Sequence, residues 1–117
     1  MTQEQRERLT AWCINLLVTY RIDFFRGCAI SDVVTFVTTG DPDRIEIARE
    51  ICHGADRLKF EPKQKDYTEL LSELREIAKE VPLSDTAQSA ITYVFGGEWG
   101  GAIEALEKLK TERNEQN

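Results

Sequence analysis

VTFVTTGD at residues 34–41 returns 57 positions later as ITYVFGGE at residues 91–98. Val34 meets Ile91, Thr35 meets Thr92, Phe36 meets Tyr93, Val37 meets Val94, Gly40 meets Gly97 and Asp41 meets Glu98. An ordered match of unlike residue types constrains a chain more than amphipathic periodicity does, because amphipathic segments match one another cheaply. Beyond the glycine, one inserted residue brings Ile45-Glu46 onto Ile103-Glu104. Upstream, a shift of 58 lays Leu9, Trp12, Cys13 and Leu16 on Tyr67, Leu70, Leu71 and Leu74. The chain is expected to use one local plan twice.

The repeat decides the one ambiguous segment. VVTFVTT at residues 33–39 is rich in β-branched residues and reads as a strand on propensity alone. Its second copy, AQSAITYVF, has the alanine content and period of a helix, so residues 32–39 are expected to be helical too. Helix one is read from Gln3 to Arg26, opened by a Thr2/Gln5 capping box and stopped by Gly27. Leu9, Trp12, Cys13, Leu16, Leu17, Tyr20 and Phe24 form its apolar face. Ser31 caps a second helix ending at Gly40. Asp41 and Pro42 open a third, with Ile45, Ala48, Ile51, Cys52, Ala55 and Leu58 inside. Lys59 to Lys65 is a loop. Asp66 caps a fourth helix, with Tyr67 on its buried face, and Pro82 ends it. Ser84 or Asp85 caps a fifth, and a sixth follows the glycines with Ala102, Ile103, Leu106 and Leu109 inside. The expected fold class is all-α: about six helices, a duplicated three-helix unit packed as one compact bundle. A single domain covers residues 1–113, with pseudo-repeats at about 2–58 and 66–113 and a disordered tail at 114–117.

Both copies read helix, glycine, acid, helix. Gly40 and Gly97 stand where a helix C-terminus takes left-handed backbone, and Asp41 or Glu98 favours the next N-terminus. Trp99 is read as a wedge between helix ends, and Gly100 and Gly101 as room for close approach. A phosphate cradle would need a preceding strand and a lysine after the glycines, and neither is present. Ala90, Tyr93, Gly97, Glu98, Trp99 and Ala102 fall where tetratricopeptide helix pairs place small, Tyr, Gly, acidic, aromatic and Ala residues. Residues 86–110 therefore resemble a tetratricopeptide helix pair, with departures at Thr86 and Ser89 and no 34-residue period through the chain. The resemblance implies protein or peptide binding on a helical groove.

Charge and composition narrow the function classes. A net charge of −6 disfavours nucleic-acid or anionic-membrane binding, and the basic residues Arg57, Lys59, Lys63 and Lys65 are diluted by nearby acids. No apolar run is long enough for a bilayer, and TQEQRER near the start lacks a signal-peptide pattern, so a cytoplasmic protein is expected. Cys13, Cys28 and Cys52 are odd in number and widely spaced, which is no disulfide framework and lacks the close pairs of a zinc site. They read as small buried hydrophobes, and no cofactor or metal is expected. His53, the one histidine, has no nucleophile near it by pattern.

Glu69, Glu73, Glu76 and Glu80 share a stripe about 60° wide on helix four. They and Trp99 are the candidate contacts for a protein partner with a basic surface. The chain reads as a small acidic protein-binding module, not an enzyme: an adaptor, an inhibitor or an immunity-type neutraliser. The alternatives are a small-molecule or metal sensor using the cysteines and His53, a nucleic-acid mimic through the acidic stripe, and a homodimer seam at Trp99 or Phe25.

Overall fold

Short local signals cap the first, second, third and fifth helices. The computed structural model describes residues 1–60 and 68–116, with side chains through Glu112. The helices are α1 (Gln3–Thr19), α2 (Phe24–Thr39), α3 (Pro42–Arg57), α4 (Thr68–Glu80), α5 (Asp85–Gly96) and α6 (Trp99–Gln116). No strand occurs among the described residues, so VVTFVTT is helical as its second copy implies. Thr2 and Gln5 form the expected reciprocal box, at 3.1 and 2.8 Å. Asp41 accepts from the Asp43 N–H at 3.0 Å, and Ser84 from that of Ala87 at 3.1 Å. The expected Asp66 cap, Tyr67 and most of the Lys59–Lys65 loop lie outside the described residues.

The first helix is shorter than its apolar period suggests. It ends at Thr19, Arg21 takes φ 49°, and the Ile22 N–H reaches back to the Leu17 carbonyl at 3.2 Å. Asp23 then starts α2 by accepting the Arg26 N–H at 3.0 Å. Gly27 and Ser31 are therefore interior to α2, not a stop and a cap. Phe24 leaves the apolar face of the first helix and stands exposed at the start of the second. At the other end, α6 continues through residues 114–116, where a disordered tail is expected from polarity alone. Glu, Lys, Arg and Gln are good helix formers and extend the helix past its last apolar contact.

The two halves follow one plan with one added turn. The α1–α2 and α4–α5 connections are four residues each, at 20–23 and 81–84. This aligns α1 with α4 at a shift of 61, placing Leu9, Cys13 and Leu16 on Leu70, Leu74 and Ile77, all buried. The expected shift of 58 instead pairs buried Cys13 with exposed Leu71. α2 has 16 residues and α5 has 12, so the shift falls by one helical turn to 57. It then stays at 57, because each third helix begins two residues after its glycine. Ile45, Ala48 and Cys52 thus fall on Ala102, Ala105 and Leu109, every one buried, and the expected insertion before Ile103 is absent. Thr35 and Thr92 each bond back to the carbonyl four residues earlier, at 2.8 and 2.9 Å.

Each helix also packs against its own counterpart, α1 on α4, α2 on α5 and α3 on α6. The shortest dimension, 18 Å, corresponds to two helical layers. Gly40 and Gly97 end α2 and α5 with φ of 77° and 71°. Alanine at either position forces a side chain into the left-handed region, and Gly97→Ala is expected to lower stability by about 1 kcal/mol. Urea unfolding at constant slope measures it.

Candidate functional site

α3 carries apolar residues on its core face and on the adjoining flank. Ile45, Ala48, Cys52 and Ala55 face the core. Ile47, Ile51 and Leu58 lie within about 40° of one another, roughly 100° around the helix from the centre of that face. Ile47 is 40% exposed, Leu58 is 69% exposed, and Ile51 is half-buried. Leu58 therefore does not belong to the buried face expected from sequence, while Ile51 is half-buried and packs against the core at its edge. The apolar stripe of α3 is thus wider than the bundle covers, and Ile47 and Leu58 are the exposed part of it.

The outer face of α3 borders a groove of about 480 Å³ against the end of α1 and the start of α2. Leu17, Ile22, Phe24, Cys28, Ile47 and Ile51 supply its apolar lining. Phe24 is 78% exposed. It opens α2 and heads a file of rings that leads inward. Phe25 stands 6.2 Å from Phe24, Phe60 stands 5.1 Å from Phe25, and Trp99 stands 6.5 Å from Phe60. On α1, Ile14 and Val18 flank Leu17 and are exposed, adding apolar area beside the groove.

The other half builds the corresponding groove from different chemistry. Its volume is about 300 Å³, and Asp85, Glu104 and Lys108 line it. Asp85 opens α5 as Phe24 opens α2. Glu104 and Lys108 lie 57 positions after Ile47 and Ile51. The matching positions of α5 and α6 thus carry charge where α2 and α3 carry apolar side chains, although Tyr93 also lines the second pocket and α4 does not.

Two carboxylates border the apolar groove, and no cation lines it among the described residues. Asp23 is bound to buried Arg26 at 3.1 Å. Burial lowers the Arg26 pKa, and Asp23 opposes that shift. Asp32 is mostly buried, and its ion-pair partner is Arg44, at 3.7 Å. That distance is beyond hydrogen-bond length. Desolvation raises the Asp32 pKa, against the pull of Arg44.

The four glutamates expected to bind a partner do share one face of α4, and each has a partner within the chain. The Tyr20 hydroxyl donates to Glu69 at 3.1 Å and to Glu73 at 3.2 Å. Glu76 pairs with Lys79 at 3.1 Å, and Glu80 with Arg8 at 2.9 Å. Gln5 also donates to the Glu80 carbonyl at 3.2 Å. Much of the stripe is therefore the polar seam between α1 and α4. Trp99 is 5% exposed, and its Nε1 donates to the Phe60 carbonyl at 3.0 Å. It is a wedge between the end of α3 and the start of α6, and the core covers it. Phe25 is half-buried. Gly101 gives the expected close approach, since a Cβ there would lie 2.9 Å from the Tyr93 ring, whereas Gly100 faces open space.

Cys13 and Cys52 are buried, which pushes their thiols up to about 11 and about 12. Cys28 is half-buried in the groove and His53 is exposed. Among the described residues, no three His, Cys, Asp or Glu side chains gather as a metal site, and no helix is long and apolar enough to cross a membrane. Comparison with family models, curated proteins and solved structures gives no match.

Proposed function

We propose that this chain is a non-enzymatic protein-binding module whose contact surface is the groove between α1, α2 and α3. The contrast between the two equivalent grooves supports this reading. Where the fold needs only a solvated surface, the second half uses Asp85, Glu104 and Lys108. The first half spends Phe24, Ile47 and Ile51 on the same positions. Exposed apolar area that the framework does not require is characteristic of binding surfaces. The tetratricopeptide resemblance of residues 86–110 implies the same class of function. The chain would act as an adaptor, an inhibitor or a neutraliser by occupying its partner.

The second half also supplies the test. Phe24→Asp and Ile47→Glu copy the residues already accommodated there, so both variants should fold. Tagged wild type is expected to retain a stoichiometric protein from its native source, and each variant to lose it. A Tyr93→Glu change on the other half should leave capture intact. Equal capture by wild type and both groove variants would remove the groove from the reading.

A further inference from the structure

Resting on that reading, we infer that the groove accepts an amphipathic helix bearing a cation, whose Lys or Arg takes Asp32 from Arg44 as its apolar side chains cover Phe24, Ile47 and Ile51. Three observations lead there. The groove is a trough between helices, the form in which an apolar helix stripe is commonly bound. Its charged lining among the described residues is Asp23 and Asp32 alone. Of these, Asp23 is already held by a buried guanidinium, while Asp32 has only a long pairing to half-exposed Arg44.

A carboxylate set among apolar side chains costs free energy until a cation reaches hydrogen-bond distance. Arg44 stops at 3.7 Å. An incoming guanidinium or ammonium, carried on a helix that covers the open groove, would make the shorter bond. A second copy of this chain fits less well. Each copy carries −6, and face-to-face pairing would bring Asp23 and Asp32 of both copies toward one another. A neutral apolar ligand would leave Asp32 more deeply buried with no better partner.

The experiment uses two labelled synthetic helices of about five turns, each with the same Leu/Phe stripe. One carries arginines beside the stripe and the other glutamates, and fluorescence polarisation reads binding to the full chain. The arginine peptide is expected to bind at least about tenfold more tightly. Asp32→Lys should weaken it by about tenfold or more, while leaving the thermal unfolding transition cooperative. Arg44→Ala keeps the framework, because Arg44 is exposed, and should tighten the arginine peptide several-fold by freeing Asp32. Ile47→Glu should abolish binding.

Equal binding of the two peptides, or an arginine peptide indifferent to both Asp32→Lys and Arg44→Ala, would overturn the cation inference. The protein-binding reading would survive that result if native capture still depended on Phe24 and Ile47. Failure of both peptides to bind the wild type would overturn the helical occupant. Self-association that Ile47→Glu abolishes would instead assign the groove to a second copy.

Discussion

Replacing Trp99 with alanine is expected to lower the unfolding free energy by about 3–5 kcal/mol, a large share of the total for a domain of this size. The indole is 5% exposed and stands at the first position of α6. It packs beside Phe60 just beyond the end of α3, so its removal opens a cavity where the two third helices begin and end. The loss has a polar part as well, because the Phe60 carbonyl accepts from Nε1 at 3.0 Å. Trp99→Phe keeps most of the ring and deletes only that donor, and should cost about 1–2 kcal/mol. Urea midpoints at constant slope separate the two effects. An alanine variant no less stable than the phenylalanine variant would show that the indole fills no essential space.

Alkaline solution should weaken the fold well before ordinary surface groups would. Burial raises the Cys13 and Cys52 thiols to about 11 and about 12, from the ordinary 9.0. Tyr20 shifts the same way, first by desolvation and then through its hydrogen bond to Glu69. Each group holds its proton more tightly folded than unfolded. Below pH 9 both states are protonated at the thiols and nothing is lost. From pH 9 to 11 the unfolded chain releases protons that the native state keeps, so stability falls as pH rises. Linkage gives about 2 kcal/mol from each thiol by pH 11. Urea unfolding at pH 8, 9.5 and 11 reads the slope, and Cys13→Ala with Cys52→Ala should flatten it. A slope unchanged by the double replacement would assign alkaline sensitivity elsewhere.

Much of the fold is legible in the order of residues, through local rules with specific chemistry. Thr2 with Gln5, Asp41 with Pro42, Ser84, Gly40 and Gly97 are all signals whose donors and acceptors lie within a few positions. The α1–α2 break is harder to see because apolar period runs straight through it. Asp23 is the available sign, since it is a strong N-cap within what would be an unusually long helix. The register of the halves is concealed differently. Ile103 repeats Ile45 by name, but the burial pattern equates Ile45 with Ala102.

The groove is invisible to periodicity for a related reason. Leu58 fits a core stripe by spacing, and only its neighbours in space reveal that it stands outside it. Trp99 and the glutamates of α4 were identifiable as unusual residues. Their partners, Phe60, Tyr20 and Arg8, come from distant parts of the chain that spacing cannot bring together.

The difference between the two grooves also sets a valency. A pair of identical subunits carries every surface twice and can bridge two ligands, so association may extend into larger assemblies. Here two similar halves share one polypeptide, and Phe24 and Ile47 have charged counterparts at Asp85 and Glu104. On the proposed reading, the molecule would be monovalent at this groove although its two halves share one plan. A titration of that surface would then close at one equivalent per chain, and a bound chain would terminate an assembly instead of propagating it.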